Sequence, residues 1–261
     1  SVKDLYLHQN TTPLSEIMDP VNEIAVDQDQ EEVAYIFEKY HLISAPVIDS
    51  AGRLVGQVTV DDIVNIIQEE NREDILRLAG VSDEDRGSSV PEIVRGRVPW
   101  LAINLGTAVL GAMVISWFGA TIEQIVALAI LMPIVSAIGG NAGTQALTVT
   151  VRALATRELN SSNANRTFWR ELVVGLANGL LLAPLIGVAA GLWSGDWRIG
   201  AVIAAAMVLN LLVAATVGVL TPLTLSRLKF DPAVSSAVFV TATTDFFGFL
   251  IFLGLATIVL L

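Results

Sequence analysis

Five stretches of the chain are long and apolar enough to cross a lipid bilayer. They follow one another at residues 98–118, 122–155, 168–193, 198–226 and 233–261. A membrane-spanning helix needs about 20 mostly apolar residues, whereas a large buried helical core, the alternative, would leave almost no polar surface to face water. Together with a mean hydropathy of +0.64, the stretches predict an α-helical polytopic membrane protein with five transmembrane helices.

The charged residues divide the chain into two parts. Residues 1–97 contain 20 Asp and Glu but only 8 Lys and Arg, whereas residues 98–261 contain 6 acidic and 7 basic residues. The acidic part disfavours nucleic acid as a partner. It suits a cation, although a merely solvated acidic surface has the same composition. The chain has no cysteine, which excludes disulfides, thiol catalysis and Cys-based zinc sites.

The loop charges predict the orientation of the spans. Basic residues precede the first span, surround the link between the second and third, and lie between the fourth and fifth: Arg95, Arg97, Arg152, Arg157, Arg166, Arg170, Arg227 and Lys229. The other two links carry only Glu123 and the Asp196/Arg198 pair. Because basic residues favour the cytoplasmic side, we expect a cytoplasmic N-terminus and a C-terminus outside the cell.

Asp245 lies near the middle of the last span, and no basic residue lies deep in any span to pair with it. An ionised carboxylate at the bilayer centre costs several kcal/mol, so such acids usually mark ion pathways. Ala237, Thr241 and Gly248 share its helical face. We predict that this small, polar face lines a pore. A protonated Asp245 hydrogen-bonded between helices is the alternative.

The second span combines helix-breaking residues with a polar stripe. Pro133 removes a backbone hydrogen bond, and the glycines that follow favour an unwound turn, which at membrane depth is tolerated where it is buried or lines water. The stripe consists of Asn141, Thr144, Gln145 and Thr148. The pattern predicts a broken helix that forms a second pore wall; a kinked packing helix is the alternative. The predicted pore-lining residues are Gly139, Gly140, Asn141 and Thr144.

Glycines also indicate where helices pack closely. Three Gly-x-x-x-Gly pairs occur at residues 139 and 143, 175 and 179, and 187 and 191. This spacing allows two helices to approach each other in lipid. We interpret the pairs as packing surfaces.

A single carboxylate in each chain is a poor cation site. A two-fold dimer would bring two copies of Asp245 together on its axis, and two like carboxylates favour a divalent cation between them. Oxygen ligands without membrane-embedded His or Cys select a hard ion such as Mg²⁺ or Ca²⁺. We therefore expect a homodimer with the pore on its two-fold axis.

Residues 15–67 alternate helical and strand patterns and resemble a CBS domain. The matching motifs are I-M-D-P at 17–20, A-P-V-I-D at 45–49, G-R-L-V-G at 52–56, and Thr59 with Asp62. The resemblance implies an α/β regulatory domain in which Thr59 and Asp62 touch the ribose of an adenine nucleotide. A CBS fold without a ligand is the alternative.

The chain as a whole resembles the MgtE family of Mg²⁺ channels or transporters. The motifs are RVPWL at 97–101, MPIVSAIGGNAGTQALTVTVRALATREL at 132–159 and FDPAVSSAVFVTATTDFFGFLIFLGLA at 230–256. The resemblance implies a homodimer in the lipid of a bacterial inner membrane, with a central pore lined by the second and fifth spans. It implies a partial CBS pair at 1–67, an acidic connecting helix and linker at 68–97, and a pore domain at 98–261. The family's N-terminal domain is missing, and SVKDLYLHQN resembles the tail of a preceding domain, so we expect a piece of a longer protein.

The resemblance also implies the metal sites. The family's pore aspartate corresponds to Asp245, and the acid before its last span corresponds to Asp231. The acids that bind regulatory Mg²⁺ together with Asp231 correspond to Glu70, Glu73 and Asp74. His41, Asn65 and the Ser-Ala-Val sequence at 236–238 depart from the family pattern.

These observations predict a non-enzymatic Mg²⁺ channel or transporter that cytosolic Mg²⁺ closes. No phosphate-binding G-x-x-x-x-G-K-[ST] motif is present to suggest ATP hydrolysis. Two alternatives remain open at this point. One is a proton-coupled divalent cation carrier in which Asp245 carries the proton, and the other is a membrane-anchored CBS sensor without transport activity.

Overall fold

The computed structural model describes residues 6–8, 11–17, 21–81, 88–159, 162–233 and 236–261. Residues 18–20 of the I-M-D-P motif and residues 82–87 of the predicted linker lie outside these ranges. The elements are α1 (Leu14–Ile17), β1 (Ile24–Ala25), α2 (Gln30–Tyr40), β2 (Ser44–Ile48), β3 (Leu54–Thr59), α3 (Val60–Leu78), α4 (Val90–Trp117), α5 (Gly119–Gln124), α6 (Ala127–Ala155), α7 (Ala164–Ser194), α8 (Trp197–Arg227) and α9 (Ser236–Leu260). The chain divides into two compact units, residues 1–73 and 74–261.

The first unit is a small α/β domain. Its three-stranded sheet has the order β1-β2-β3, with β1 parallel and β3 antiparallel to β2. Asp49 shapes the β2–β3 turn by accepting hydrogen bonds from the backbone amides of Ala51 and Arg53, at 2.9 and 3.0 Å. A core of buried apolar side chains joins the sheet to its helices: Ile24, Val33, Ala34, Phe37, Ala45 and Ile63. The predicted α/β architecture is confirmed.

Helix α3 begins with a side-chain cap between two residues of the predicted nucleotide motif. The carboxylate of Asp62 accepts hydrogen bonds from the Thr59 hydroxyl at 2.8 Å and from the Thr59 backbone amide at 3.0 Å. These bonds satisfy a backbone donor at the helix start. They also lower the pKa of Asp62, the hydroxyl bond most and the amide bond next, because both stabilise the ionised carboxylate.

Among its described residues, the second unit contains five helices long and apolar enough to span a membrane, as the sequence predicts. They are α4, α6, α7, α8 and α9. Helix α8 packs against α6, α7 and α9, and α9 packs against α4, α6 and α8. Helix α4 begins at Val90, eight residues before the predicted start, because Ser89 and Glu92 form a capping box. The short helix α5 precedes α6 and takes up the start of the predicted second span.

The prediction of a broken second span is wrong. Helix α6 is continuous from Ala127 to Ala155, across Pro133 and the three glycines. Pro133 lies in the N-terminal part of α6, where it removes one backbone hydrogen bond without interrupting the rest of the helix. The glycines are used for packing, since side chains of α8 and α9 occupy the space that a Cβ atom would fill at Gly139 and Gly143.

The Gly-x-x-x-Gly pairs of α7 are confirmed as packing surfaces. A Cβ atom at Gly175 would lie 2.9 Å from the Leu211 carbonyl oxygen, and one at Gly187 would lie 3.0 Å from the Gly200 carbonyl oxygen. Real Cβ atoms do not approach backbone so closely without a shift of the helices. The small residues of α7 thus allow its close contact with α8.

Candidate functional site

Asp245 is hydrogen-bonded to a serine of the second span. The Ser136 hydroxyl of α6 donates to Oδ1 of Asp245 in α9, with an oxygen–oxygen distance of 2.5 Å. Both side chains are half-buried within this chain. A hydroxyl bonded to a carboxyl oxygen fixes the direction of that side chain, and such a bond to an ionised carboxylate is about twice as strong as a neutral one.

The surrounding contacts show how α6 and α9 pack. About one turn further along α6, a Cβ atom added at Gly140 would lie 3.7 Å from the Thr241 methyl group of α9. The next contact joins Gly143 to Val240. Because the numbers rise along α6 and fall along α9, the helices run antiparallel, and they form one continuous wall that carries the two predicted pore segments.

The polar stripe of α6 faces away from the body of the chain. Its four residues are exposed: Asn141, Thr144, Gln145 and Thr148. The Thr144 hydroxyl donates to the Gly140 carbonyl at 2.9 Å, and on α9 the exposed Thr241 donates to the Ala237 carbonyl at 2.8 Å. These bonds satisfy the hydroxyl donors within each helix and leave their oxygen lone pairs available.

Gly139 and Gly248 occupy packing positions, which differs from the pore-lining positions expected for them. Both are buried, and both lie against the amide of Asn210 in α8. A Cβ atom added at Gly139 would overlap Nδ2 of Asn210, and one added at Gly248 would lie 2.9 Å from the same atom. Helical spacing predicts that Gly248 lies on the same face as Asp245. In the structure, Gly248 instead packs against Asn210 in the interior of the helix bundle.

Ala237 and Thr241 line a cavity of about 450 Å³ at the end of α9 nearest its N-terminus. The opposite wall comes from the end of α3 and the start of α4. It includes two arginines, a tryptophan and an asparagine: Arg77, Arg97, Trp100 and Asn104. The predicted pore face therefore opens into a space with basic and aromatic walls.

Asp231 forms an ion pair with Arg77. Its Oδ2 atom contacts Nη1 of Arg77, and its Oδ1 atom accepts a hydrogen bond from the Ala233 amide at 2.8 Å. The two side chains are 32% and 38% exposed. In this conformation both oxygens of Asp231 are occupied by positive or donor groups.

The other predicted regulatory acids, Glu70, Glu73 and Asp74, lie on α3. Within the first unit, Glu70 accepts a hydrogen bond from the Gln30 side chain. In the part of the chain that the structure describes, no three His, Cys, Asp or Glu side chains come together as a metal site.

Sequence reasoning did not find three residues of this region. They are Ser136, Asn210 and Arg77, which bond to Asp245, Val135 and Asp231 respectively. Ser136 had one local signal, because it precedes Gly140 and Thr144 at intervals of four residues. The local signal for Asn210 is that it is an amide residue within an apolar span.

Family comparison gives two matches within the chain. Residues 132–255 match the MgtE family, described as a divalent cation transporter, and residues 14–69 match the CBS domain. The first match contains Ser136 and Asp245, and the second contains Thr59 and Asp62.

Three curated relatives are named Magnesium transporter MgtE. The protein of Thermus thermophilus is 38% identical over the whole chain, that of Bacillus subtilis is 35% identical over 98% of it, and that of Enterococcus faecalis is 34% identical over 98%. The chain spans only 57–58% of the length of these relatives.

Proposed function

Because residues 132–255 match the MgtE family and follow a match to the CBS domain, we propose that the chain forms a homodimeric Mg²⁺ channel or transporter of the bacterial inner membrane. The names of the relatives support Mg²⁺ as the cargo. The basic links between the spans support a cytoplasmic N-terminus and an external C-terminus.

The observation that carries the proposal is the Ser136–Asp245 pair. It holds a carboxylate in a defined direction on the α6–α9 wall, beside exposed side-chain oxygens. Each chain supplies one such carboxylate, so a two-fold axis beside this wall would pair it with its copy. Two carboxylates match the charge of a divalent cation and repel each other without one.

The chemistry of the wall suits a hydrated ion. Mg²⁺ loses its water reluctantly and is usually held with several waters in place. The oxygens of Asn141, Thr144 and Thr241 would accept hydrogen bonds from those waters, while the Asp245 carboxylates would supply the charge. A membrane potential of 100 mV contributes about 4.6 kcal/mol to the entry of a doubly charged ion, twice the value for a single charge.

Regulation by cytosolic Mg²⁺ is a further part of the proposal. Glu70, Glu73 and Asp74 would bind the ion together with Asp231 and favour the closed state by RT ln(1 + [Mg²⁺]/Kd). Three acids within five residues of α3 support this role because their mutual repulsion falls when a cation binds. An adenine nucleotide at Thr59 and Asp62 would have to share Asp62 with the cap of α3.

A flux measurement tests the transport site. Purified chain in liposomes should take up Mg²⁺ under a negative internal potential, and Asp245→Asn should reduce the rate at least tenfold. Asp196→Asn is the matched control: it makes the same change at the N-cap of α8, where Asn serves nearly as well as Asp. Uptake that follows a pH gradient in place of voltage would favour the proton-coupled carrier, and no uptake by the unaltered chain would favour the anchored sensor.

A second flux measurement tests regulation. The double variant Glu73→Gln/Asp74→Asn should keep transport but lose inhibition by Mg²⁺ on the cytoplasmic side. Glu69→Gln, which neutralises an exposed acid of the same helix, should remain inhibited. Inhibition of the double variant at an unchanged Mg²⁺ concentration would place the sensor elsewhere.

A further inference from the structure

Asn210 is a fully buried amide in the middle of α8. Its exposed fraction is 0%. Nδ2 donates a hydrogen bond of 2.9 Å to the backbone carbonyl of Val135 in α6. Within the described part of the chain, Oδ1 has no hydrogen-bond donor.

Two glycines from different helices make room for this amide. The missing Cβ atoms of Gly139 in α6 and Gly248 in α9 would lie 3.0 and 3.1 Å from Cγ of Asn210. Any other residue at either position would collide with the side chain. One amide therefore contacts the backbone of both helices that form the α6–α9 wall.

The amide lies close to the Ser136–Asp245 pair along both helices. Val135, whose carbonyl accepts the Asn210 bond, directly precedes Ser136. Gly248 follows Asp245 by three residues, which is about one turn or roughly 5 Å along α9. Any shift of α6 or α9 against Asn210 would thus change the distance between the serine hydroxyl and the carboxylate.

Stability alone does not account for this asparagine. A buried polar atom without a partner costs free energy, whereas replacing both partners of a buried bond by apolar groups of similar shape is often neutral. Leucine has the same number of side-chain heavy atoms in the same branched arrangement and carries no oxygen to leave unpaired, although it is larger than asparagine. The value of the amide therefore lies in the directional bond that it makes to α6.

We propose that Asn210 is a positioning residue of the transport site: it holds α6 and α9 at the separation and register in which Ser136 orients Asp245. The expected effect of Asn210 on transport rests on the proposed transport function. Its geometry rests on the contacts of Asn210 with Val135, Gly139 and Gly248.

A double-mutant cycle on flux is the first test. Asn210→Leu should raise the Mg²⁺ concentration for half-maximal uptake about tenfold, the effect of losing one positioning hydrogen bond. In the Ser136→Ala background the same substitution should have little further effect, because both act through the orientation of Asp245. Thr150→Val is the control: it removes a fully buried hydroxyl that bonds only its own helix, to Ala146 at 2.7 Å, and should leave uptake unchanged.

A cross-linking experiment tests the geometry without transport. The chain contains no cysteine, so Ser136→Cys/Asp245→Cys introduces the only two thiols, at positions whose side chains touch. An oxidant should join them, and the rate should fall at least fivefold when Asn210→Leu is added but not when Thr150→Val is added. Protein yield and thermal unfolding of each variant check that it folds.

The outcomes separate the inference from the proposed function. Independent effects of Asn210→Leu and Ser136→Ala on flux, or a cross-linking rate unchanged by Asn210→Leu, would overturn the positioning role while Mg²⁺ uptake stands. If the Ser136→Cys/Asp245→Cys variant does not cross-link, the contact between residues 136 and 245, on which the positioning role rests, is overturned. Absence of uptake by the unaltered chain, with cross-linking still dependent on Asn210, would reject transport and retain the positioning role.

Discussion

Arg77 and Asp231 form an ion pair that ties the end of α3 to the segment between α8 and α9. The neighbouring Leu78 packs against a cluster that contains Leu147, Val151 and Val240. An arginine therefore occupies the carboxylate that the family resemblance assigns to regulatory Mg²⁺. The guanidinium and the metal would compete for Asp231.

This competition predicts the effect of removing the arginine. Arg77→Gln should lower the cytosolic Mg²⁺ concentration that half-inhibits uptake by up to about fivefold, because a partly exposed ion pair is worth about 1 kcal/mol at most. Flux in liposomes at graded Mg²⁺ measures the shift. Arg53→Gln, which removes an arginine paired with Asp49 in the first unit, should cause no shift. A half-inhibitory concentration that stays the same or rises for Arg77→Gln would contradict the competition.

The Ser136 hydroxyl predicts a second transport phenotype. Ser136→Ala removes a bond to a charged acceptor, which is worth about 1.5–3 kcal/mol, and should weaken Mg²⁺ transport roughly tenfold or more. The readout is the Mg²⁺ concentration that gives half-maximal uptake. Ser116→Ala serves for comparison because that hydroxyl donates only to Met113 of its own helix. Equal uptake by both variants would mean that Asp245 needs no orienting donor.

The close packing of Gly139 against Asn210 predicts that alanine substitutions at two glycines differ in their effect on stability. Gly139→Ala should lower the free energy of unfolding by about 1–3 kcal/mol because the new methyl group collides with the amide. Gly106→Ala, in α4 with no atom near its Cβ position, should be neutral or stabilising because alanine favours helix over glycine. Thermal unfolding in detergent measures both. Equal stability of the two variants would argue that Gly139 faces open space.

The Thr59–Asp62 cap predicts a pH dependence in the first unit. Its hydrogen bonds lower the pKa of Asp62 from the usual 3.8, so the stabilisation is complete above that value and is lost as the pH falls through the lowered folded-state pKa. Hydrogen exchange at the start of α3, corrected for its intrinsic pH dependence, should therefore accelerate below about pH 4. Asp62→Asn should be insensitive in this range, whereas Asp61→Asn should behave like the parent chain. Acceleration of equal size in Asp62→Asn would assign the effect to another group.

The sequence predicted the features that depend on short stretches of chain. The five spans follow from apolar length, and the small domain follows from local periodicity and the Asp49 turn. Asp245 was recognisable because a carboxylate in such a span is costly wherever its neighbours lie. The Gly-x-x-x-Gly pairs of α7 could be interpreted as packing surfaces from the sequence because their effect depends on residue size alone.

What the sequence determined by itself is therefore the set of membrane helices, the α/β domain and one unusual carboxylate. The tertiary structure decided what that carboxylate contacts and what the glycines of α6 are for. Ser136 lies 109 residues from Asp245, Asn210 lies 75 residues from Val135, and Arg77 lies 154 residues from Asp231. The physical reason is that such pairs are set by how the helices pack, and packing depends on the shapes of whole surfaces that no local pattern records.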